Sequence, residues 1–322
     1  MKIVLFHPAL LPPKDYGGVE RMVCWLAKGL VERGHEVHVA ALAGSQLPRG
    51  ARLIAIEPGR PSAVDLLPRL PAGVDLVHFM APPESEAVAR LPAPALLTVH
   101  GNGKPGERFP RNTVFLSADH ARRHGAEAFI HNGIDPEEVE FRGAGRADWY
   151  LFLSKTSWRV KNLAGAMRHC RRAGAKLMIA GGHRPWSLRA RAALTPGFSW
   201  AGPVGGRKKA ELLSSARALL FPVIWDEPFG LVVVEALMAG TPVIASPRGS
   251  LPELIGPEVG ALPKSEEEWE AALREPFARD PERCRSWATE RFHYSVMASG
   301  YESAYDRVLA GEAIQPREPS CT

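Results

Sequence analysis

The sequence predicts an α/β protein built from two doubly wound halves, each a parallel sheet flanked by helices. Three observations carry that expectation. Short apolar runs of strand length alternate with a helix-length amphipathic stretch between Lys2 and Ala41, an order that implies parallel strands. The same alternation starts afresh at Trp149. Between the two, Arg142-Gly143-Ala144-Gly145-Arg146 puts two glycines into five residues, a linker composition. A chain of 322 residues can bury a separate core in each half. The expected division is residues 1–143 and 147–296, with a last helix over about 297–312 returning to the first half.

Lys2–Phe6 is a short buried-type strand, followed by the loop His7 to Gly18. Val19, Met22, Val23, Leu26 and Leu30 then recur at helical spacing up to Gly34, and Glu36–Ala41 reads as the second strand. Further strands are expected at Arg52–Ile56, Asp75–Phe79, Leu96–His100, Val114–Ser117 and Ala128–His131, with a short helix inside the proline-rich stretch Pro58–Gly73. The second half places strands at Tyr150–Leu153, Leu177–Ala180, Phe198–Trp200, Ala218–Val223 and Val243–Ala245, and helices from Pro276 to Gly311. Tyr301, Tyr305, Val308 and Leu309 form an apolar stripe suited to crossing back onto the first half. The tail from Ala313 is expected to be disordered.

Charge is unevenly spread. Residues 1–145 carry 16 basic and 16 acidic side chains, whereas residues 146–275 carry 18 basic and 12 acidic. No acidic residue occurs from Trp149 to Ala210. Such a field attracts anions: a nucleotide diphosphate, an anionic membrane surface or nucleic acid. Nucleic acid is set aside, because no binding motif or aromatic-interleaved basic run accompanies the charge. Lys2 precedes a four-residue apolar run rather than a secretory h-region, and no apolar run approaches a membrane span. The four cysteines lack metal-ligand spacing. The expectation is a soluble cytoplasmic protein without a metal site, with peripheral contact to the inner face of a membrane left open and the oligomeric state unknown.

The most informative stretch runs from Trp225 to Ala245. An apolar strand enters a loop with Asp226, Glu227 and Pro228; Gly230 then opens a helix that stops at Gly240. A glycine at a helix mouth lets a ligand approach free backbone N–H groups, where the helix dipole favours phosphate. Glu227 in the loop and Glu235, two turns into the helix, are placed to hold hydroxyls at two points of one elongated ligand. Read blandly, the same stretch is a strand, loop and helix with two solvated carboxylates. His100 ends an expected strand and precedes Gly101-Asn102-Gly103, which points it into the crevice where parallel sheets bind ligands.

Glu227 and Glu235 with their intervening residues resemble the Glu-x7-Glu motif of the retaining, family 4 nucleotide-sugar glycosyltransferases of GT-B fold: two Rossmann-like domains facing a cleft. The resemblance implies that Glu227 binds hydroxyls of the donor sugar and Glu235 the nucleotide ribose, with Phe229, Gly230, Leu231 and Val232 also lining the donor site. Gly17-Gly18-Val19-Glu20 is similar to the segment that faces the donor diphosphate in the family, and His100 to a strand-end His near the transferred sugar. Lys155 and Lys161 have the spacing of the family's diphosphate-binding cations, although Ser154-Lys155 stands where Gly-Arg is usual; Arg159 is the residue that would share that work. Gly181 and Val204 resemble positions in loops around the nucleotide base. The implied activity is sugar transfer from a nucleotide-diphosphate sugar, most commonly a UDP-sugar, to a glycan, lipid-linked sugar or small-molecule hydroxyl, with no cofactor and no metal. Two alternatives stay open: a non-catalytic sugar-nucleotide-binding protein and a GT-B nucleotide-sugar epimerase.

Overall fold

In the computed structural model, which describes residues 1–13, 17–57, 59, 62–183, 185–274 and 279–321, the chain divides into two units. Met1–Asp135 and Phe292–Thr322 form the first, and Pro136–Arg291 form the second.

The first unit is a parallel sheet of β1 (Lys2–Phe6), β2 (Glu36–Leu42), β3 (Arg52–Ile56), β4 (Leu76–Phe79), β5 (Ala95–Thr98) and β6 (Thr113–Val114). Their order is β3-β2-β1-β4-β5-β6, with Ile3 paired to both Val37 and Leu76. Apart from Lys2 and His78 the central strands β1 and β4 are apolar, because both faces are covered. Helices α1 (Gly18–Glu32), α2 (Ser85–Ala89) and α3 (Ala118–Arg123) and a 3₁₀ turn at Val64–Arg69 supply the connections. Val4, Phe6, Val77, Phe79, Leu97 and Phe115 belong to the core on one face.

The second unit repeats the plan. Its sheet contains β7 (Trp149–Leu153), β8 (Lys176–Ala180), β9 (Phe198–Gly202), β10 (Leu219–Phe221), β11 (Val243–Ala245) and β12 (Gly260–Ala261), in the order β12-β11-β10-β7-β8-β9. The helices are α4 (Leu163–Ala173), α5 (Trp186–Ala193), α6 (Gly206–Ser215), α7 (Leu231–Met238), α8 (Leu251–Leu254), α9 (Glu266–Arg274) and α10 (Pro281–Phe292). Each sheet grows outward one way and then the other. The reversal falls between β1 and β4 in the first unit and between β7 and β10 in the second. Beyond the carboxyl ends of the strands at such a reversal lies the crevice where open α/β sheets take ligands.

The last helix, α11 (Tyr294–Leu309), packs on α1 within the first unit. A methyl group at Gly29 of α1 would come within 2.7 Å of Ala298 Cβ, so the small residue permits the close approach. Tyr301 and Tyr305 reach the sheet through a buried polar chain. His78 Nδ1 lies 2.8 Å from the Tyr305 hydroxyl, His78 Nε2 lies 2.8 Å from Thr98 Oγ1, and Thr98 Oγ1 lies 2.9 Å from the Tyr301 hydroxyl. Burial pushes His78 down to about 3, so the ring is neutral and can both donate and accept. Val308 is also buried, but Leu309, the fourth member of the expected stripe, is 41% exposed at the helix end.

Several expected elements change. Ala218–Val223 contracts to β10, since Pro222 has no N–H to continue the ladder. Val114–Ser117 becomes the two-residue β6, and β5 stops at Thr98, so His100 lies just past the strand rather than in it. Ala128–His131 is not a strand but a single bridge between Phe115 and Phe129. The segment 142–146 is not a loose linker. The Arg146 guanidinium donates to the carbonyls of Arg142, Ser214, Ala216 and Gly240 and to the Thr241 hydroxyl, which ties it into the second unit. The boundary falls earlier, at Asp135/Pro136. The helix start expected at Pro276 lies outside the described residues.

The tail differs most from expectation: it is ordered on the first unit. Gln315 is fully buried. Its Oε1 accepts from the backbone N–H groups of Glu127 and Ala128 at 2.9 and 3.1 Å, and its Nε2 donates to the carbonyls of Thr113 and Ala128 at 2.7 and 3.1 Å. One side-chain amide thus occupies the groups that would have carried the Ala128–His131 strand further. Beyond it, Phe109 N–H donates to Pro319 O and Cys321 N–H to Glu107 O. Gln315→Ala should lower unfolding free energy by about 2–3 kcal/mol in chemical denaturation, because it strands buried backbone groups. A loss below about 0.5 kcal/mol would show that the tail is not anchored there.

Candidate functional site

The loops leaving β7 and β10, the two strands at the reversal of the second sheet, meet side by side. After β7 the chain passes Ser154, Lys155 and Thr156 into a 3₁₀ turn at Arg159–Lys161, then a left-handed Asn162 that caps α4. Asn162 Oδ1 accepts from Gly165 N–H, and its Nδ2 donates to Pro222 O at 2.8 Å. Ile224 N–H donates to Val160 O at 2.9 Å. The turn carrying Lys161 is thereby fixed to the loop carrying Glu227.

Lys161 and Glu227 face each other in the interior of this junction, 6% and 7% exposed. Lys161 Nζ donates to Glu227 Oε2 at 2.6 Å, and Trp225 Nε1 donates to the same oxygen at 2.7 Å. The ammonium also lies over the Trp225 ring, 4.8 Å from its centre, and near the Phe221 ring. Backbone geometry locks the loop from behind. Gly249, at φ +58, packs where a methyl group would fall 2.3 Å from the Glu227 nitrogen, and Ser250 N–H donates to Glu227 O at 2.9 Å. The Ser250 hydroxyl donates to Phe229 O at 2.5 Å.

Gly230, left-handed at φ +91, then starts α7 without a side-chain cap. Leu231 and Val232 are half-buried in its first turn. The helix mouth therefore presents backbone N–H groups and the positive end of the dipole beside the buried ion pair. Glu235 is the fifth residue of α7, a little over one turn in rather than two. Lys209 of α6 donates to both of its oxygens, at 2.5 and 2.6 Å.

The two lysines expected to act together are not equivalent. Lys155 is exposed, its ammonium 4.8 Å from the centre of the Trp158 ring, and Arg159 is exposed as well. Gly181 and Gly182 after β8 have a packing role at the same edge. At Gly181, φ is +114 and a methyl group would lie 1.9 Å from Ser154 O; at Gly182 it would lie 2.5 Å from Thr156 Oγ1. Val204, half-buried, follows β9 on the neighbouring strand.

Gly17, Gly18 and His100 belong to the first unit. Gly17 caps α1 at a point where any side chain would strike Pro13 and the Glu20 carboxylate. Among the described residues, His100 Nε2, which is buried, has no hydrogen-bond partner, and both ring nitrogens of His7, at the end of β1, share that condition. His7 Nε2 lies 3.9 Å from Glu20 Oε1, within electrostatic reach but too far for a hydrogen bond. Burial pushes His100 down to about 3, with His7 adding to the effect and Glu20 opposing it. His7 holds the Glu20 carboxyl below its ordinary range. Orphaned buried nitrogens are uncommon and mark a place where a polar ligand can be received. Among the described residues, no group of three or more His, Cys, Asp and Glu side chains is arranged to hold a metal ion. Among the described residues, no helix is long and apolar enough to cross a membrane.

Sequence reasoning passed over His7, Trp225 as a partner of Glu227, and Lys209 as a partner of Glu235. The one available signal was position: His7 and Trp225 each follow a strand end, where functional side chains concentrate.

Two family profiles match the chain: "Glycosyltransferase Family 4" over residues 16–135 and "Glycosyl transferases group 1" over residues 149–277. The phosphatidyl-myo-inositol mannosyltransferase of Mycobacterium tuberculosis is 30% identical over 231 residues, 61% of this chain and 60% of that protein. The D-inositol 3-phosphate glycosyltransferase of Segniliparus rotundus is 36% identical over 100 residues, 28% of this chain and 22% of that protein. The chain thus spans less than two thirds of the length of these curated relatives. Among solved structures, AviGT4, a glycosyltransferase involved in avilamycin A biosynthesis, superposes with a TM-score of 0.79 at 26% identity, covering 96% of this chain and 98% of that one. Anabaena HepE, crystallised in complex with UDP-glucose, shares the fold at a TM-score of 0.69 and 14% identity, covering 97% of this chain and 100% of its own.

Lys161→Met should cost about 3–5 kcal/mol in denaturant melts, because it leaves a buried carboxylate uncompensated. Adding Glu227→Gln should return much of that loss. Additive costs for the two substitutions would show that the residues do not interact.

Proposed function

The chain belongs to the group 1 and family 4 glycosyltransferases of GT-B fold, and from that premise we propose that it transfers a sugar from a nucleotide-diphosphate sugar to an acceptor hydroxyl with retention of configuration. The observation that carries this reading is the uncapped α7 mouth set beside the buried Lys161–Glu227 pair. A helix N-terminus suits a diphosphate, and the adjoining carboxylate suits the hydroxyls of a neutral sugar.

In this reading the diphosphate lies over Gly230, Leu231 and Val232 and meets Lys161, Lys155 and Arg159. An ammonium has three N–H groups, so Lys161 can hold Glu227 and still reach a phosphate oxygen. Glu235 receives the ribose. In the second unit Gly181 and Val204 flank the base and Glu227 attends the sugar; the roles proposed for Gly17 and Gly18, contact with the diphosphate, and for His100, contact with the sugar, rest on the family resemblance. As the glycosidic bond breaks, negative charge grows on the leaving diphosphate. Preorganised cations and amides lower that barrier more than they stabilise the ground state. The acceptor hydroxyl attacks from the face the diphosphate leaves, and the β-phosphate takes its proton, so no enzyme nucleophile, metal ion or cofactor is needed. UDP is the proposed nucleotide, in keeping with the UDP-glucose complex of HepE. The acceptor class is a glycan, a lipid-linked sugar or a small molecule, and a lipid-linked acceptor would bring the protein to the inner face of a membrane.

The test is transfer or donor hydrolysis with a panel of nucleotide sugars, followed by NMR of the anomeric configuration of the product. Retained configuration supports the reading; inversion refutes the mechanism, and binding without turnover refutes the enzyme. Glu235→Gln should weaken free nucleotide and nucleotide sugar alike, whereas Glu227→Gln should spare the free nucleotide and reduce transfer. Equal weakening of the nucleoside diphosphate by both, measured by calorimetry, would contradict the assignment.

His100→Ala should lower turnover by about 10²–10³, a common loss for one electrostatic partner. Its Nε2 has no hydrogen-bond partner among the described residues, so melting temperature and nucleotide affinity should stay near wild type. Normal transfer by a stable His100→Ala protein would remove it from the reacting centre.

A further inference from the structure

We propose that Trp225 is a positioning residue: with Lys161 it occupies one oxygen of Glu227 and so presents the other to a hydroxyl of the donor sugar, an inference that rests on the donor reading above. Glu227 accepts from Lys161 Nζ at 2.6 Å and from Trp225 Nε1 at 2.7 Å, both on Oε2. Oε1 accepts no hydrogen bond from any described residue, and the residue as a whole is only 7% exposed.

A carboxylate held by one donor can rotate and exchange its oxygens. Two donors on one oxygen, arriving from different loops, remove that freedom. Lys161 comes from the turn after β7, and Trp225 from the loop after β10. The backbone of Glu227 is separately fixed by Ser250 and by the tight fit of Gly249. What remains is a single acceptor atom with a defined direction.

Trp225 touches both charges of the pair. Its indole N–H binds the carboxylate, and its ring face lies 4.8 Å from the ammonium. The Trp158 ring meets it edge to face, with centres 6.5 Å apart. A phenyl ring at this position would keep the face and lose the N–H. The carboxylate would then hold Oε2 by Lys161 alone. Because Oε1 accepts a hydroxyl hydrogen, the consequence is selectivity: a site built to bond a hydroxyl discriminates against an analogue lacking it.

The experiment measures affinity by calorimetry on the full chain, with UDP-, GDP- and ADP-hexoses and the singly deoxygenated analogues of whichever binds. Wild type should lose about 10- to 100-fold in affinity for one deoxy position, the worth of a hydrogen bond to a charged group. Trp225→Phe should lower the melting temperature modestly, leave nucleoside diphosphate affinity unchanged and bind the parent nucleotide sugar about tenfold more weakly. Its affinity for the deoxy analogue should stay as in wild type, so the discrimination collapses. Trp225→His, which keeps a ring N–H, should restore part of it and provides a second variant if the first is unstable. Equal weakening of parent and deoxy donor, or undiminished discrimination in Trp225→Phe, would overturn the role of Trp225 while leaving the donor reading intact. Failure of wild type to bind any of the nucleotide sugars would overturn the donor reading and this inference with it.

Discussion

A lysine and a glutamate from two loops, both nearly removed from water, set the terms for the second unit. Burying either charge alone would cost several kcal/mol, so each requires the other at close range. Their 2.6 Å contact is possible because β7 and β10 are neighbours although about 70 residues of chain separate them. The supports converge on that contact: Asn162 ties the Lys161 turn to Pro222, Gly249 and Ser250 brace the Glu227 loop, and Gly230 turns the chain into α7 immediately after. A pair that must be matched to fold is also preorganised for a ligand that exploits the same charges.

The first unit is arranged on a different electrostatic principle. His100 is kept neutral by burial, next to a histidine and a carboxylate that pull in opposite directions. A neutral imidazole offers one donor and one acceptor, which suits a polyol rather than an anion. The second unit offers charge and a helix N-terminus without a side-chain cap among the described residues, which suit a diphosphate. A nucleotide sugar has both characters in one molecule.

Much of this was legible in the sequence, and for physical reasons. Apolar runs of strand length and the Gly230–Gly240 bracket around α7 depend on local rules, so the parallel sheets and the helix mouth could be read directly. Glu227 and Glu235 were recognised because their spacing is fixed within one loop and one helix. The pairing of those carboxylates was not legible. Lys161 lies 66 positions from Glu227, and Lys209 lies 26 from Glu235. Only strand adjacency and the packing of α6 on α7 bring them together. Periodicity likewise could not show that Gln315 closes the sheet edge near Ala128, since its contribution is a buried amide in a polar tail. Pro222, by contrast, marked the end of β10 in plain view, and a stricter use of its missing N–H would have shortened the expected strand.

The central claim is that the α7 mouth and Lys161 hold a nucleoside diphosphate. The most direct measurement is the melting temperature of the protein with UDP, GDP, ADP, dTDP and CDP, each compared with its nucleoside. One diphosphate at about 100 times its Kd should add about 2.7 kcal/mol of stability, and its nucleoside at the same concentration much less. A panel in which no diphosphate raises the melting temperature, or in which nucleoside and diphosphate raise it equally, would contradict the account.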